Sequence, residues 1–210
     1  QDGVRDRLSA ILVRDKHDVE RFHCFADVEE SLFDNRRDMQ VKRNAQALAE
    51  AARYVLLSSD RIVLIDPYFE AKPRCCKVLQ AMIKLCRENG HQLAEIVVYT
   101  AKDTQKRHAN HDTAAYEKLL SNDLAQDITL RIFLLSAEAL DHDFHARYLF
   151  SQRAGLRFDR GFVEPEDHAQ RDHLTDVACL DKSRVAELNS GYLGIEDDLV
   201  GVESIILPLK

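Results

Sequence analysis

Apolar positions along the middle of the chain follow two distinct rhythms. Val41, Ala45, Leu48, Ala52 and Val55 recur at helical spacing until the polar run 58–61, which predicts an amphipathic helix. Residues 62–65 read Ile-Val-Leu-Ile without a polar interruption. Such a run suits a strand covered on both faces, here a central parallel strand, and Asp66-Pro67 ends it because the residue before proline is pushed out of regular pairing. Pro73 fits the first turn of a second helix, whose apolar face is Cys75, Val78, Leu79, Met82, Ile83 and Cys86, with Asn89-Gly90 as its stop.

The rhythm then repeats. Residues 96–99 form another buried-strand run, the polar stretch 100–112 reads as a loop, and a helix opening near Asp112 or Thr113 reaches Leu120 before a third strand at 128–135. Strands at 144–150 and 177–180 and a helix at 182–188 complete the prediction. Strands joined by helical crossovers predict an α/β fold with a largely parallel sheet flanked by helices. Near the N-terminus, the apolar runs 8–13 and 22–26 are separated by a polar stretch and predict a strand pair or an added edge. Residues 1–38 are therefore expected to form a strand-rich extension of the same domain as residues 39–210.

Composition narrows the function classes. A chain of 210 residues fits one domain, or one domain with an added segment, and no run approaches the ~18 apolar residues of a membrane span. Five cysteines without a C-x-x-C pair argue against a disulfide framework or a structural zinc site. With no visible signal peptide, the expected location is the cytoplasm. A formal net charge of −7 argues against generic polyphosphate binding, so any phosphate recognition must be local.

Local basic character appears in one place. The alternation of a strand puts His145, Arg147 and Leu149 on one face and Ala146, Tyr148 and Phe150 on the other. A guanidinium offers fixed donors to phosphate oxygens, and a neutral imidazole can attack phosphorus or shuttle a proton. Arg153, Arg157 and Arg160 follow, with Asp159 the only acid between His145 and Phe162.

These residues resemble the phospholipase D superfamily, whose mark is H-x-K-x4-D. His145 and Arg147 occupy its first two places, as H-x-R, while Gln152 stands where the carboxylate is expected. The run 145–162, with Gly155 and Asp159-Arg160-Gly161, is most similar to the variant domain found C-terminal to MIT modules, and Asp66-Pro67-Tyr68 matches that group's D-P-Y motif. The resemblance covers Val41 to the C-terminus and implies half of a phospholipase D-like fold. It also implies a metal-independent phosphodiesterase, more a nuclease than a lipase, with no cofactor. His145 would be the nucleophile, and a homodimer would supply a second His145 as general acid across a two-fold axis. Arg147 with Arg157 or Arg160 would stabilise the phosphate oxygens, and Asp66 and Tyr68 would help to bind a substrate such as DNA or RNA. By analogy of fold, such a chain could serve in antiviral defence.

The MIT-linked variants imply an alternative: a non-catalytic module that binds anionic phospholipid, nucleic acid or a protein partner through the same pocket. Asp66 and Tyr68 can also be explained as strand-end structure. His142 and His145, flanked by Asp141 and Asp143, invite a metal reading, but residues three apart on a strand face opposite sides, so no metal is expected. The loop 102–111 follows a parallel strand, where ligand loops of open α/β sheets lie. His168 and His173 are expected at the surface, and Asp176 is a candidate to orient His145.

Overall fold

The computed structural model describes residues 38–104, 107–124, 127–136, 146–192 and 202–207, together with the backbone of 11–13 and 22–24; at Thr104, Arg107 and His108 only the backbone is described. The chain divides into two compact units, Gln1–Arg37 and Asp38–Lys210. In the first unit, β1 (Ile11–Val13) pairs in parallel with β2 (Phe22–Cys24), a strand pair where the apolar runs predicted one.

The second unit carries an eight-stranded sheet. Its strands are β3 (Asp38–Lys42), β4 (Arg61–Ile65), β5 (Glu95–Ala101), β8 (Thr129–Leu135), β9 (Arg147–Phe150), β10 (Gly155–Phe158), β11 (Leu174–Cys179) and β12 (Glu203–Leu207). In space they run β12-β8-β5-β4-β9-β10-β11-β3. A small hairpin, β6 (Asp103–Thr104) with β7 (Arg107–His108), lies within the stretch read as loop. Six helices are described: α1 (Ala45–Ala51), α2 (Arg53–Leu57), α3 (Pro73–Glu88), α4 (Thr113–Leu124), α5 (His168–Arg171) and α6 (Lys182–Tyr192).

The expectation of a largely parallel sheet is corrected. Only β4 with β5 and β5 with β8 are parallel. The contacts β12 to β8, β4 to β9, β9 to β10, β10 to β11 and β11 to β3 are all antiparallel. The three strands spaced by α3 and α4 have crossovers long enough to return the chain for parallel pairing. Beyond them, the connection from Phe150 to Gly155 is a short turn, which permits only an antiparallel neighbour.

Other readings change as well. Val41 belongs to β3, not to a helix, because Asn44 caps α1: its side chain accepts the Ala47 N–H at 2.8 Å. The strand read at 144–150 begins, among described residues, at Arg147. The single helix expected through Val55 is divided at Ala52 into α1 and α2, and the strand read at 177–180 is β11, which starts at Leu174. Pro73 opens α3, Asn89 closes it, and Gly90 takes the left-handed φ of 65° that ends the helix.

Strand alternation sorts the core onto both sheet faces. Ile62, Leu64, Ile96, Val98, Leu130, Ile132 and Leu149 meet the apolar sides of α1 to α4, including Leu48, Leu79, Met82 and Leu120. On the other face Val63, Ile65, Val97, Tyr99, Phe133, Tyr148 and Phe150 pack with Leu188 and Tyr192 of α6. Cys75, Cys76 and Cys86 are buried free thiols in the first layer, and burial pushes each up, to about 11, 12 and 11. No helix among the described residues is long and apolar enough to cross a membrane.

Leu64 is buried in the middle of the first layer. Leu64→Ala should lower unfolding free energy by about 2–5 kcal/mol, through lost transfer energy and a residual cavity, as read by urea denaturation.

Candidate functional site

Parallel strand β4 ends at Ile65, and the next residue, Asp66, turns its carboxyl inward instead of toward solvent. Asp66 is 0% exposed. Its Oδ1 accepts the Tyr68 N–H at 2.9 Å, closing a turn, and its Oδ2 accepts the N–H of Phe162 at 3.0 Å. Burial pushes this carboxyl above the usual range, against the pull of those two N–H groups and of Arg147.

Because β9 runs antiparallel to β4, Arg147 arrives at the same end of the sheet. Its Nε lies 3.8 Å from Asp66 Oδ1, and its Nη1 donates to the Asp159 carbonyl at 2.6 Å. The guanidinium stands 5.0 Å from the ring centre of Tyr68, within the range of cation–π attraction. Gly161 permits this close assembly. It has φ 72°, and a Cβ there would lie 2.6 Å from both Arg147 Cδ and Asp66 Oδ2.

Around this group opens a pocket of about 210 Å³ lined by Arg43, Asp66, Tyr68, Arg74, Arg147, Arg160 and Val163. Arg43 follows β3, where its N–H is held by the His173 carbonyl at 3.1 Å. Its buried Nε has no hydrogen-bond partner among the described residues. Burial, reinforced by the charges of Arg160 and Arg147, lowers the Arg43 pKa from its ordinary value, and Asp159 opposes this. Arg74, in the first turn of α3, donates to the buried Glu70 at 2.6 Å, and Glu70 also pairs with Lys72 at 3.1 Å. Arg160 is exposed and lies 3.2 Å from Asp159.

A second carboxylate braces the pocket from behind. The Glu164 N–H donates to the Arg74 carbonyl at 2.9 Å. Its side chain accepts from the Ala45 N–H at 3.0 Å and from Lys77 at 3.2 Å, with Arg171 at 3.5 Å. Burial opposes its ionisation, but the Ala45 N–H, Lys77 and Arg171 outweigh it and hold the carboxyl below its ordinary value.

Of the residues singled out from sequence, the structure brings Asp66, Tyr68, Arg147 and Arg160 together. Asp66 has no exposed surface and lies beside Arg147, which it positions. Arg157 is placed elsewhere: it pairs with Tyr148 across β9 and β10, so alternation puts it on the opposite sheet face. Gln152 is exposed in the turn past the far end of β9, with its carbonyl accepting from Asn189. Asp176 is exposed and accepts from Gln40. Lys102 pairs with Glu203, and His111 is held by the Ala101 carbonyl and the Tyr116 hydroxyl. His168 and His173 are exposed. His142 and His145, with Asp141 and Asp143, lie outside the described residues, as does Lys106. Among the described residues no cluster of His, Cys, Asp and Glu could hold a metal.

Sequence reasoning missed Arg43 and Arg74. Reading Asn44 as a helix cap would have ended the first helix short of Arg43; nothing local marked Arg74. No family model matches the chain, and no curated protein matches it.

Two substitutions check the framework. Gly161→Ala should destabilise the fold by more than about 1 kcal/mol, since both its φ and the space around it exclude a Cβ; thermal unfolding reads this. For Glu164, a folded-state pKa below the unfolded value contributes stability above roughly pH 4.3, lost as pH falls through the folded pKa. The stability gap between wild type and Glu164→Gln should therefore be open at pH 7 and shrink below pH 4, as followed by urea denaturation at each pH.

Proposed function

We propose that this chain is a binding module of phospholipase D-like kinship that captures a phosphate-bearing ligand in the arginine pocket. One observation carries the reading: four guanidiniums from four separate segments line a single small depression in a protein whose formal charge is −7. Arg74, Arg147 and Arg160 each have a carboxylate beside them, in Glu70, Asp66 and Asp159, whereas Arg43 is disfavoured by burial and by its arginine neighbours, a repulsion that an anion relieves. Guanidinium forks match phosphate oxygens in shape as well as charge. Three residues that carried the family resemblance meet here, because Asp66 and Tyr68 lie against Arg147. Within this reading the module acts in the cytoplasm, on nucleic acid or anionic phospholipid.

The position of Arg147 favours a second reading. His145 precedes it by two residues, the spacing of the superfamily's nucleophile and cation, which supports a metal-independent phosphodiesterase working as a homodimer with one His145 from each chain. Of the cations assigned to that reaction, Arg147 and Arg160 line the pocket.

Arg147→Ala and Arg43→Ala should each weaken binding of inorganic phosphate about tenfold or more, from the loss of charge-assisted bonds of about 1.5–3 kcal/mol. Calorimetric titration measures this, and unchanged affinity in both variants would refute the pocket. Incubation with DNA, RNA and bis-p-nitrophenyl phosphate in EDTA separates the two readings. Binding without turnover supports the module, whereas cleavage lost in His145→Ala establishes the enzyme.

A further inference from the structure

We infer that the pocket is built for a terminal phosphate monoester and discriminates against phosphodiesters; this rests on the phosphate-binding reading. The first ground is shape. The depression is small, about 210 Å³, and the buried Asp66 is among its lining residues. A site of this size suits the end of a ligand, whereas a diester within a chain needs room for an ester link on each side.

The second ground is the number and direction of donors. Arg43 comes from the end of β3, Arg74 from the start of α3, Arg147 from β9 and Arg160 from the turn after β10. Internal bonds account for one Arg74 nitrogen on Glu70 and one Arg147 nitrogen on the Asp159 carbonyl, which leaves other faces of these forks for a ligand. A monoester presents three non-bridging oxygens and a charge of about −1.5 to −2 at neutral pH. A diester presents two such oxygens and one charge, so its second ester oxygen, a poor acceptor, would face a guanidinium.

The third ground is electrostatic. Arg43 has a buried Nε without a hydrogen-bond partner among the described residues, and the charges of Arg160 and Arg147 oppose its own, with Asp159 offsetting part of this. Of the lining residues, only Asp66 is acidic, and it lies beside Arg147, not Arg43. The additional negative charge of a monoester compensates this excess better than a diester does.

The test is calorimetric titration of the full chain with methyl phosphate and dimethyl phosphate, which differ by a single ester. Methyl phosphate should bind at least tenfold more tightly, and Arg43→Ala or the exposed-site variant Arg160→Ala should shrink that ratio. Equal affinity for both, lost in Arg147→Ala, would overturn the monoester inference while leaving phosphate binding standing; binding of neither would overturn both. Two further pairs identify the source of the phosphate. Preference for a 5′-phosphorylated oligonucleotide over its 5′-hydroxyl form points to nucleic-acid ends, and preference for phosphatidic acid over phosphatidylglycerol vesicles points to a lipid headgroup.

Discussion

A buried carboxylate holds this site together. Asp66 sits at the end of β4 with no exposed surface, where a charge is costly unless it is compensated. Compensation comes from the Tyr68 N–H two residues on, the Phe162 N–H far along the chain, and Arg147 at 3.8 Å. These contacts tie three segments to one point. Removing any of them leaves a buried polar group to be satisfied otherwise, so the turn at Asp66, the turn at Gly161 and the position of Arg147 are coupled.

The sheet topology explains why this point is also a pocket. A parallel core of β4, β5 and β8 ends its strands on one side, where ligand sites of α/β sheets commonly form. The antiparallel additions β9, β10, β11 and β3 bring alternate ends of earlier and later segments to that side. Arg147 enters at the start of β9, Arg160 follows the end of β10, and Arg43 follows the end of β3. Positive charge is thus concentrated locally in an acidic chain, with Glu70 and Glu164 fixing Arg74 and the backbone behind it.

Elements whose signal is local were legible in the sequence. The buried runs at 62–65, 96–99 and 128–135 became β4, β5 and β8, and Pro73 and Asn89-Gly90 bound α3. The first helix was overextended because Val41 falls in phase with it by chance, although it lies on a strand whose alternation is short. Arg157 illustrates the same limit at the site. It shares a basic stretch with Arg160, but strand alternation sends it to the other face.

By itself, the sequence determined the parallel three-stranded core and its two long helices, because periodicity and turn chemistry act within a few positions. Tertiary structure alone decided that five of the sheet contacts are antiparallel, that Asp66 is a buried support, and that Arg43 and Arg74 join Arg147 and Arg160. Strand pairing joins residues as far apart as Asp38 and Ala178, 140 positions, and charge clustering those as far apart as Arg43 and Arg160, 117 positions, and no local pattern encodes which distant segments will meet.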